Sequence, residues 1–281
     1  MIGKLTSAVV RAFLVALLLL IPALLLPEIG SDSAQFALLA AMLAALLVFF
    51  EYNSAYPSYL EFRYAPPFNR LRFGALVLTV FGLTMAFRHA YQPSQLTHIC
   101  ASLTTIIGHS LDFPYSPVRL VLLTVADSNA AGMVGQTRVA AGTAYFMSIL
   151  LVFAFTLVVR MLNWPSRNGA FNVWINLPLF DPTTGGDVVA RLQKDARVNV
   201  VLGFLLPFLV PALVKALGSY IDLGAMENPQ TLIWTVSIWA FVPASMMMRG
   251  VALGRIAEMI AQKRRRAYAA AEAEQQGFQT A

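Results

Sequence analysis

Long apolar runs, separated by shorter polar stretches, dominate the hydrophobic pattern of this chain. Six runs are apolar enough to cross a bilayer as helices. Three of them fall short of the usual length of about 20 residues, and we expect these three to extend into their flanks. The predicted spans are residues 8–27, 34–50, 73–87, 139–162, 198–217 and 232–248. The pattern therefore predicts an all-α integral membrane protein, a bundle of six transmembrane helices.

The N-terminal run also has to be weighed against a cleaved signal peptide, because Lys4 and Arg11 precede it. A signal peptide needs a small-residue cleavage site after its apolar core. The sequence Pro-Glu-Ile-Gly over residues 27–30 offers no clear site of this kind. We therefore expect the run to be retained as the first transmembrane helix.

Basic residues are unevenly divided between the two sides of the six predicted spans. Of the 20 Lys and Arg residues, only four lie on the side that faces away from the termini: Arg88, Arg119, Arg138 and Lys215. An excess of Lys and Arg marks the cytoplasmic side of a membrane protein. The distribution therefore predicts an N-in/C-in topology with both termini cytoplasmic, and a bacterial inner membrane is the expected location.

The connection between the third and fourth spans is about 50 residues long and contains a helical pattern of apolar residues. The pattern predicts an external amphipathic segment that lies on the outer leaflet or re-enters it slightly. Its apolar positions are Leu96, Ile99, Leu103, Ile106 and Ile107. All three histidines, His89, His98 and His109, fall near it, with the single cysteine Cys100. His98 and His109 would lie about 16 Å apart on one helix, so we predict no metal site here.

Two cytoplasmic connections are rich in aromatic residues and prolines, which is unusual for solvated linkers. One interpretation is an interfacial belt, because Tyr and Trp prefer the depth of the lipid headgroups. The other is a docking surface, because aromatic residues are enriched in protein interfaces. The candidate docking residues are Tyr56, Tyr59, Phe62, Tyr64, Phe68, Trp164, Phe171, Trp174 and Phe180.

Basic residues follow a predicted helix start at Asp187, and others lie in the C-terminal tail of residues 251–281, beyond the six-helix domain of residues 1–250. A plain helix N-cap is the simpler interpretation of Asp187. Gly185 and Gly186 would also allow an anion to approach a helix N-terminus. We expect the tail to form a basic helix that anchors the topology and attracts anionic lipid, or that grips a cytoplasmic partner. The candidate headgroup or anion contacts are Arg191, Lys194, Lys263, Arg264, Arg265 and Arg266.

Composition narrows the possible functions. Only 12% of the residues are charged, which is about half of the usual 25%, and the mean hydropathy is +0.66. These values exclude a soluble enzyme and a nucleic-acid-binding protein. The net charge of +6 is therefore interpreted as the excess of basic residues on one side of the membrane. The middles of the spans lack ionisable groups, and the chain contains no recognisable catalytic set. We therefore predict no catalytic residues, no cofactor and no metal.

Three functions remain open. The first is an accessory, assembly or scaffolding subunit of a larger membrane complex, whose partners are other integral membrane subunits and lipids. The second is a transporter or channel for a neutral or lipidic solute, in which Pro207 and Pro211 kink the fifth span as a gate. The third is a membrane-embedded lipid-modifying enzyme, built from loop residues such as Arg167, Asp181 and Asp187.

Overall fold

The computed structural model describes residues 2–27, 29–126, 132–162, 164–165, 172–181, 183, 185–218 and 224–279. These parts of the chain form helices and no strands, with a short 3-10 turn at Gly224–Glu227. The helices are α1 Ile2–Leu25, α2 Ser31–Asn53, α3 Phe68–Arg88, α4 Gln95–Leu111, α5 Pro117–Val125, α6 Met133–Met161, α7 Val173–Asn176, α8 Val188–Ala216 and α9 Pro229–Gln279.

Six of these helices are long and apolar enough to cross a membrane, which confirms the predicted helical membrane bundle. They are α1, α2, α3, α6, α8 and the stretch Pro229–Ala273 of α9. The second, third and sixth predicted spans do extend into their flanks. We call the end of the bundle where α3 and α8 begin and α2 and α6 end the basic end, and the other the opposite end.

Helices α8 and α9 pack against each other in antiparallel fashion along most of α8. Two glycines allow their backbones to approach closely. A Cβ atom at Gly203 would lie 2.6 Å from the Pro243 carbonyl oxygen, and one at Gly250 would lie 2.7 Å from the Ala196 carbonyl oxygen. Helix α9 continues through Gly250 without a break, and residues 252, 253, 256 and 257 are buried in the core at the basic end. The predicted domain boundary between residues 250 and 251 therefore lies inside α9. Residues of α9 on both sides of this boundary are buried in the bundle.

Helix α4 is the predicted amphipathic helix, and it packs on α3 and α6 with its small and polar face. Thr97, Thr104 and Gly108 are buried there. A Cβ atom at Gly142 of α6 would lie 2.6 Å from the Gly108 Cα atom. The apolar residues of α4 point away from the bundle: Leu96, Ile99, Leu103 and Ile106 are exposed.

Helix α2 lies at the edge of the bundle. Among the helices in the described part of the chain it packs extensively only on α1, and its buried residues are Ala37, Ala41 and Glu51. The side chain of Lys4 in α1 donates a hydrogen bond to the Ser54 carbonyl oxygen, which joins the two helices at the basic end. This peripheral position leaves a gap between the end of α2 and the helices α3 and α9.

Candidate functional site

The connection of residues 54–67 is folded on Glu51, the last buried residue of α2. The Glu51 carboxylate accepts hydrogen bonds from the backbone N–H groups of Ser58, Tyr59 and Leu60 at 3.0–3.1 Å. Three converging donors stabilise a carboxylate that is itself buried, because they replace the water it has lost. These hydrogen bonds explain how a segment without regular secondary structure is held in a defined conformation.

Arg63 completes the loop from the other side. Its guanidinium donates hydrogen bonds to the carbonyl oxygens of Glu51, Ser54 and Ala55 and to the Tyr64 hydroxyl. The side chain is buried, so these oxygens take the place of solvent around the charge. The charge of Arg63 is therefore used to hold the loop.

The connection of residues 54–67 then packs against the connection between α6 and α8. The Phe62 N–H, at a φ of 56°, donates to the Asn176 carbonyl oxygen at 2.7 Å. The Tyr64 N–H donates to the Asn176 side-chain oxygen at 3.0 Å, and the Trp164 indole N–H donates to the Ala65 carbonyl oxygen at 3.2 Å. These bonds bring aromatic residues from distant parts of the chain into one cluster.

This clustering corrects the predicted docking surface. Four of the predicted residues, Phe62, Phe68, Trp164 and Phe180, are buried in the protein's own core. The rings of Phe62, Phe68 and Trp164 lie within 6.4 Å of one another between centroids. A residue covered by its own chain offers no surface to a partner, so these four hold the two connections together instead.

The other predicted docking residues divide into two groups. Tyr56, Tyr59 and Tyr64 are exposed, so they remain available for contact with lipid or with another protein. Phe171 lies outside the described residues. Trp174 belongs to α7, but its side chain also lies outside what the structure describes.

The predicted anion site at the start of α8 is filled by the chain itself. The Asp187 carboxylate accepts hydrogen bonds from the N–H groups of Val189 and Ala190 at 3.3 Å and pairs with Arg264. The hydrogen bond from Arg264, with the two backbone N–H groups, lowers the pKa of Asp187. Arg191 lies 4.8 Å from the ring centroid of Phe180. The plain helix start is therefore the better interpretation, because the Asp187 carboxylate occupies the N-terminus at which Arg191 and Lys194 were expected to help bind an anion.

The other predicted headgroup contacts remain at the surface: Lys194, Lys263, Arg265 and Arg266 are exposed. Asp181, one of the loop carboxylates considered for catalysis, accepts hydrogen bonds from the N–H and hydroxyl groups of Thr183 at 2.8 and 2.6 Å. Arg167 lies outside the described residues.

Pro207 and Pro211 are both buried. Pro211 has no N–H group, so the Pro207 carbonyl oxygen lacks its usual partner four residues later. The Trp239 indole N–H of α9 donates a hydrogen bond to that oxygen at 3.3 Å. The helix thus passes both prolines without ending, and a neighbouring helix satisfies one of the freed carbonyls.

The structure brings two histidines together that sequence spacing did not connect. The rings of His89 and His98 lie 5.5 Å apart between centroids, and His89 Nδ1 lies 3.1 Å from the Thr97 hydroxyl. Sequence spacing did not pair them because His89 caps the C-terminus of α3, whereas His98 lies in the first turn of α4. Within the described residues, no group of three or more His, Cys, Asp or Glu side chains is placed to hold a metal ion.

At the basic end, a cleft of about 470 Å³ lies between α2 on one side and α3 and α9 on the other. Apolar and polar residues both line it. The apolar lining residues are Leu47, Val48, Leu60, Phe68, Leu179, Phe241, Val242 and Met246. The polar lining residues are Glu51, Tyr59, Glu61, Arg72, Ser245 and Arg249.

Two arginines in the cleft have different environments. Arg249 forms a two-pronged ion pair with Glu61 at 2.6 and 2.8 Å. Arg72 donates one hydrogen bond to the Ser245 hydroxyl at 3.2 Å and one long one to Asn69 at 3.5 Å. Among the described residues, no carboxylate lies within 4 Å of Arg72.

From the sequence alone, Arg72 and Arg249 are recognisable only as topology signals. A usable signal was the position of Arg249 between apolar residues that continue on both sides of it in one helix. A charge in such a place needs a partner. That partner, Glu61, lies 188 residues away in the chain, so spacing alone could not name it.

Comparison with protein-family models, with curated proteins and with solved structures finds no match for this chain.

Proposed function

We propose that the protein binds a membrane lipid in the cleft between α2 and α9, and that this lipid is the solute it transports. The observation that carries this proposal is that apolar and charged residues line the same cleft at one end of a membrane bundle. That combination of apolar and charged lining matches the tail and the head of an amphiphile. It favours the transport of a lipidic solute among the functions that the sequence leaves open.

The dimensions of the cleft fit a lipid that lies along the helices. Phe241 and Arg249 are eight residues apart on α9, which corresponds to about 12 Å along the helix axis. Arg249 lies nearer to the basic end than Phe241 does. We place the basic end in the cytoplasm, following the excess of positive charge there. The charged groups of the cleft would then lie at headgroup depth in the inner leaflet, with the apolar wall beneath them.

The cleft is open to the side of the bundle, because α2 packs extensively only on α1. Leu47 on one wall is 54% exposed and Val242 on the other wall is 46% exposed. A volume of about 470 Å³ lies within the usual range of about 300–1,000 Å³ for small-molecule sites. A lipid could enter such a cleft from the bilayer without passing through water.

Filling the cleft tests this proposal. We expect Val242→Trp to lower the amount of lipid that copurifies with the protein in mild detergent to less than half, because the indole occupies the wall against which the tail would lie. Quantification is by native mass spectrometry and by extraction of the bound lipid. Ile238→Trp is the matched control, since Ile238 is on the same helix and is 56% exposed but does not line the cleft. Equal lipid content in the two variants would refute the proposal.

A second candidate function is the accessory subunit, which one observation favours. Helix α2 buries few of its residues and exposes a continuous apolar surface that includes Phe36, Leu43 and Phe50. A partner helix in a larger complex would cover such a surface as well as lipid does. A stoichiometric companion protein after gentle purification supports this candidate. A lone, monodisperse chain that carries lipid supports the first one.

A further inference from the structure

We propose that Arg72 binds the phosphate of the lipid headgroup, so that the ligand of the cleft is a phospholipid. This inference rests on the proposed function and adds the chemical class of the ligand. The tail alone gives little selectivity, because a lipid tail leaves one apolar environment, the bilayer, for another. The headgroup contacts must therefore decide which lipid stays in the cleft.

The geometry of Arg72 leaves most of its donors unused. A guanidinium carries five N–H donors in a planar fork. The Nε–H group is used by Ser245, and one N–H of Nη1 makes the long contact with Asn69. The described residues offer no hydrogen-bond partner for the remaining three donors. The side chain is held in position by two rings, because its Cζ atom lies 5.4 Å from the ring centroid of Phe68 and 5.6 Å from that of Phe241.

The charges around the cleft show which cation lacks a partner. The Glu61 carboxylate is occupied by both prongs of Arg249. The Glu51 carboxylate is occupied by three backbone N–H groups, and Arg63 is surrounded by the loop's own oxygens. Both carboxylates that line the cleft are thus occupied, and Arg72 has no ion-pair partner within 4 Å among the described residues.

A half-buried cation at the edge of an apolar wall is destabilising unless an anion approaches it. Phosphate oxygens match the planar fork of arginine better than they match a point charge. Arg72 lines the same cleft as the apolar residues. A phosphodiester with acyl chains would therefore bind to both parts at once, whereas inorganic phosphate would use only Arg72.

The test compares lipids with the same acyl chains, phosphatidylglycerol and diacylglycerol, bound to the delipidated full-length protein in detergent. Binding is measured by native mass spectrometry for the wild type, Arg72→Gln and Arg72→Lys. We expect the wild type to prefer phosphatidylglycerol about tenfold, a difference equivalent to about 1.4 kcal/mol. Arg72→Gln should lose this preference while still binding both lipids, and Arg72→Lys should retain part of it because the point charge remains.

Two controls separate charge from folding. Arg70→Gln removes the same charge from an exposed residue of the same helix, and we expect it to keep the full preference. Without lipid, Arg72→Gln should be at least as stable as the wild type, because it removes a cation that has no ion-pair partner. In phosphatidylglycerol it should gain less thermal stability than the wild type gains.

Each outcome has a defined meaning. A full preference for phosphatidylglycerol in Arg72→Gln would overturn the assignment of Arg72. If millimolar inorganic phosphate displaces phosphatidylglycerol from the wild type while diacylglycerol never binds, the ligand is free phosphate and the phospholipid assignment is wrong. If the wild type retains neither lipid and Val242→Trp changes nothing, the proposed function itself fails. If Val242→Trp abolishes binding of both lipids while Arg72→Gln removes only the preference, both proposals are supported.

Discussion

Replacing Glu51 with alanine is the substitution that we expect to disturb the basic end most. Its carboxylate accepts hydrogen bonds from three backbone N–H groups of the loop. A hydrogen bond to a charged group contributes about 1.5–3 kcal/mol. Water can reach part of this loop, since Ser58 and Tyr59 are exposed, so we count about 1 kcal/mol for each donor. Glu51→Ala should therefore destabilise the folded loop by about 3 kcal/mol.

Proteolysis gives a direct assay of this loop, because it contains Arg63, a buried site for trypsin. Cleavage after Arg63 requires the loop to open, and its rate follows the population of the open form. A loss of about 3 kcal/mol corresponds to an increase of about 100-fold in the cleavage rate. Glu51→Gln retains one acceptor oxygen without the charge and should lose about half as much free energy.

The control is Glu258→Ala, which removes the same charge from a side chain that is 63% exposed and pairs with Arg255 three residues earlier. An exposed pair of this kind contributes about 0–1 kcal/mol, so cleavage after Arg63 should stay near the wild-type rate. If Glu51→Ala is cleaved no faster than this control, the hydrogen bonds of Glu51 do not hold the loop, and the reasoning is wrong.

Three further predictions concern the helices. Trp239→Phe should lower the free energy of unfolding in detergent by about 1 kcal/mol, because the Pro207 carbonyl oxygen loses its donor. Gly142→Ala should cost about 1–3 kcal/mol through overpacking against α4, whereas Gly135→Ala, with open space around its Cβ position, should be tolerated. Because its pKa is lowered in the folded state, Asp187 stabilises the fold above about pH 4. This stabilisation is lost as the pH falls through the folded-state pKa, and Asp187→Asn should lack that acid dependence.

Much of the fold could be predicted because a membrane helix is specified by a local property, the length of an apolar run. Six runs gave six helices, and the short second run lengthened into its flanks to form Ser31–Asn53. The amphipathic helix α4 was recognised from its own periodicity. The sequence did not show that α4 would bury its threonines and Gly108, because that face depends on the close approach of Gly142 in another helix.

The candidate site could not be predicted in the same way. The aromatic residues of the connections were recognised as unusual and were expected to form an interfacial belt or a docking surface, whereas Phe62 and Trp164 are buried against each other. Burial of an aromatic ring depends on what covers it, and the covering residues come from distant segments. The same holds for Glu61 and Arg249, whose ion pair joins a loop to the last helix.

The sequence by itself determined the class of protein, the number of spans and the clustering of basic residues at one end. These features depend on the length of each apolar run and on the positions of the basic residues, which are local properties of the chain. Only the tertiary structure decided that α2 stands apart from α9 and that Arg72 is left without an ion-pair partner among the described residues. Those features depend on which side chains meet. Because all six spans are apolar, their sequences contain little information about which helices pack against each other.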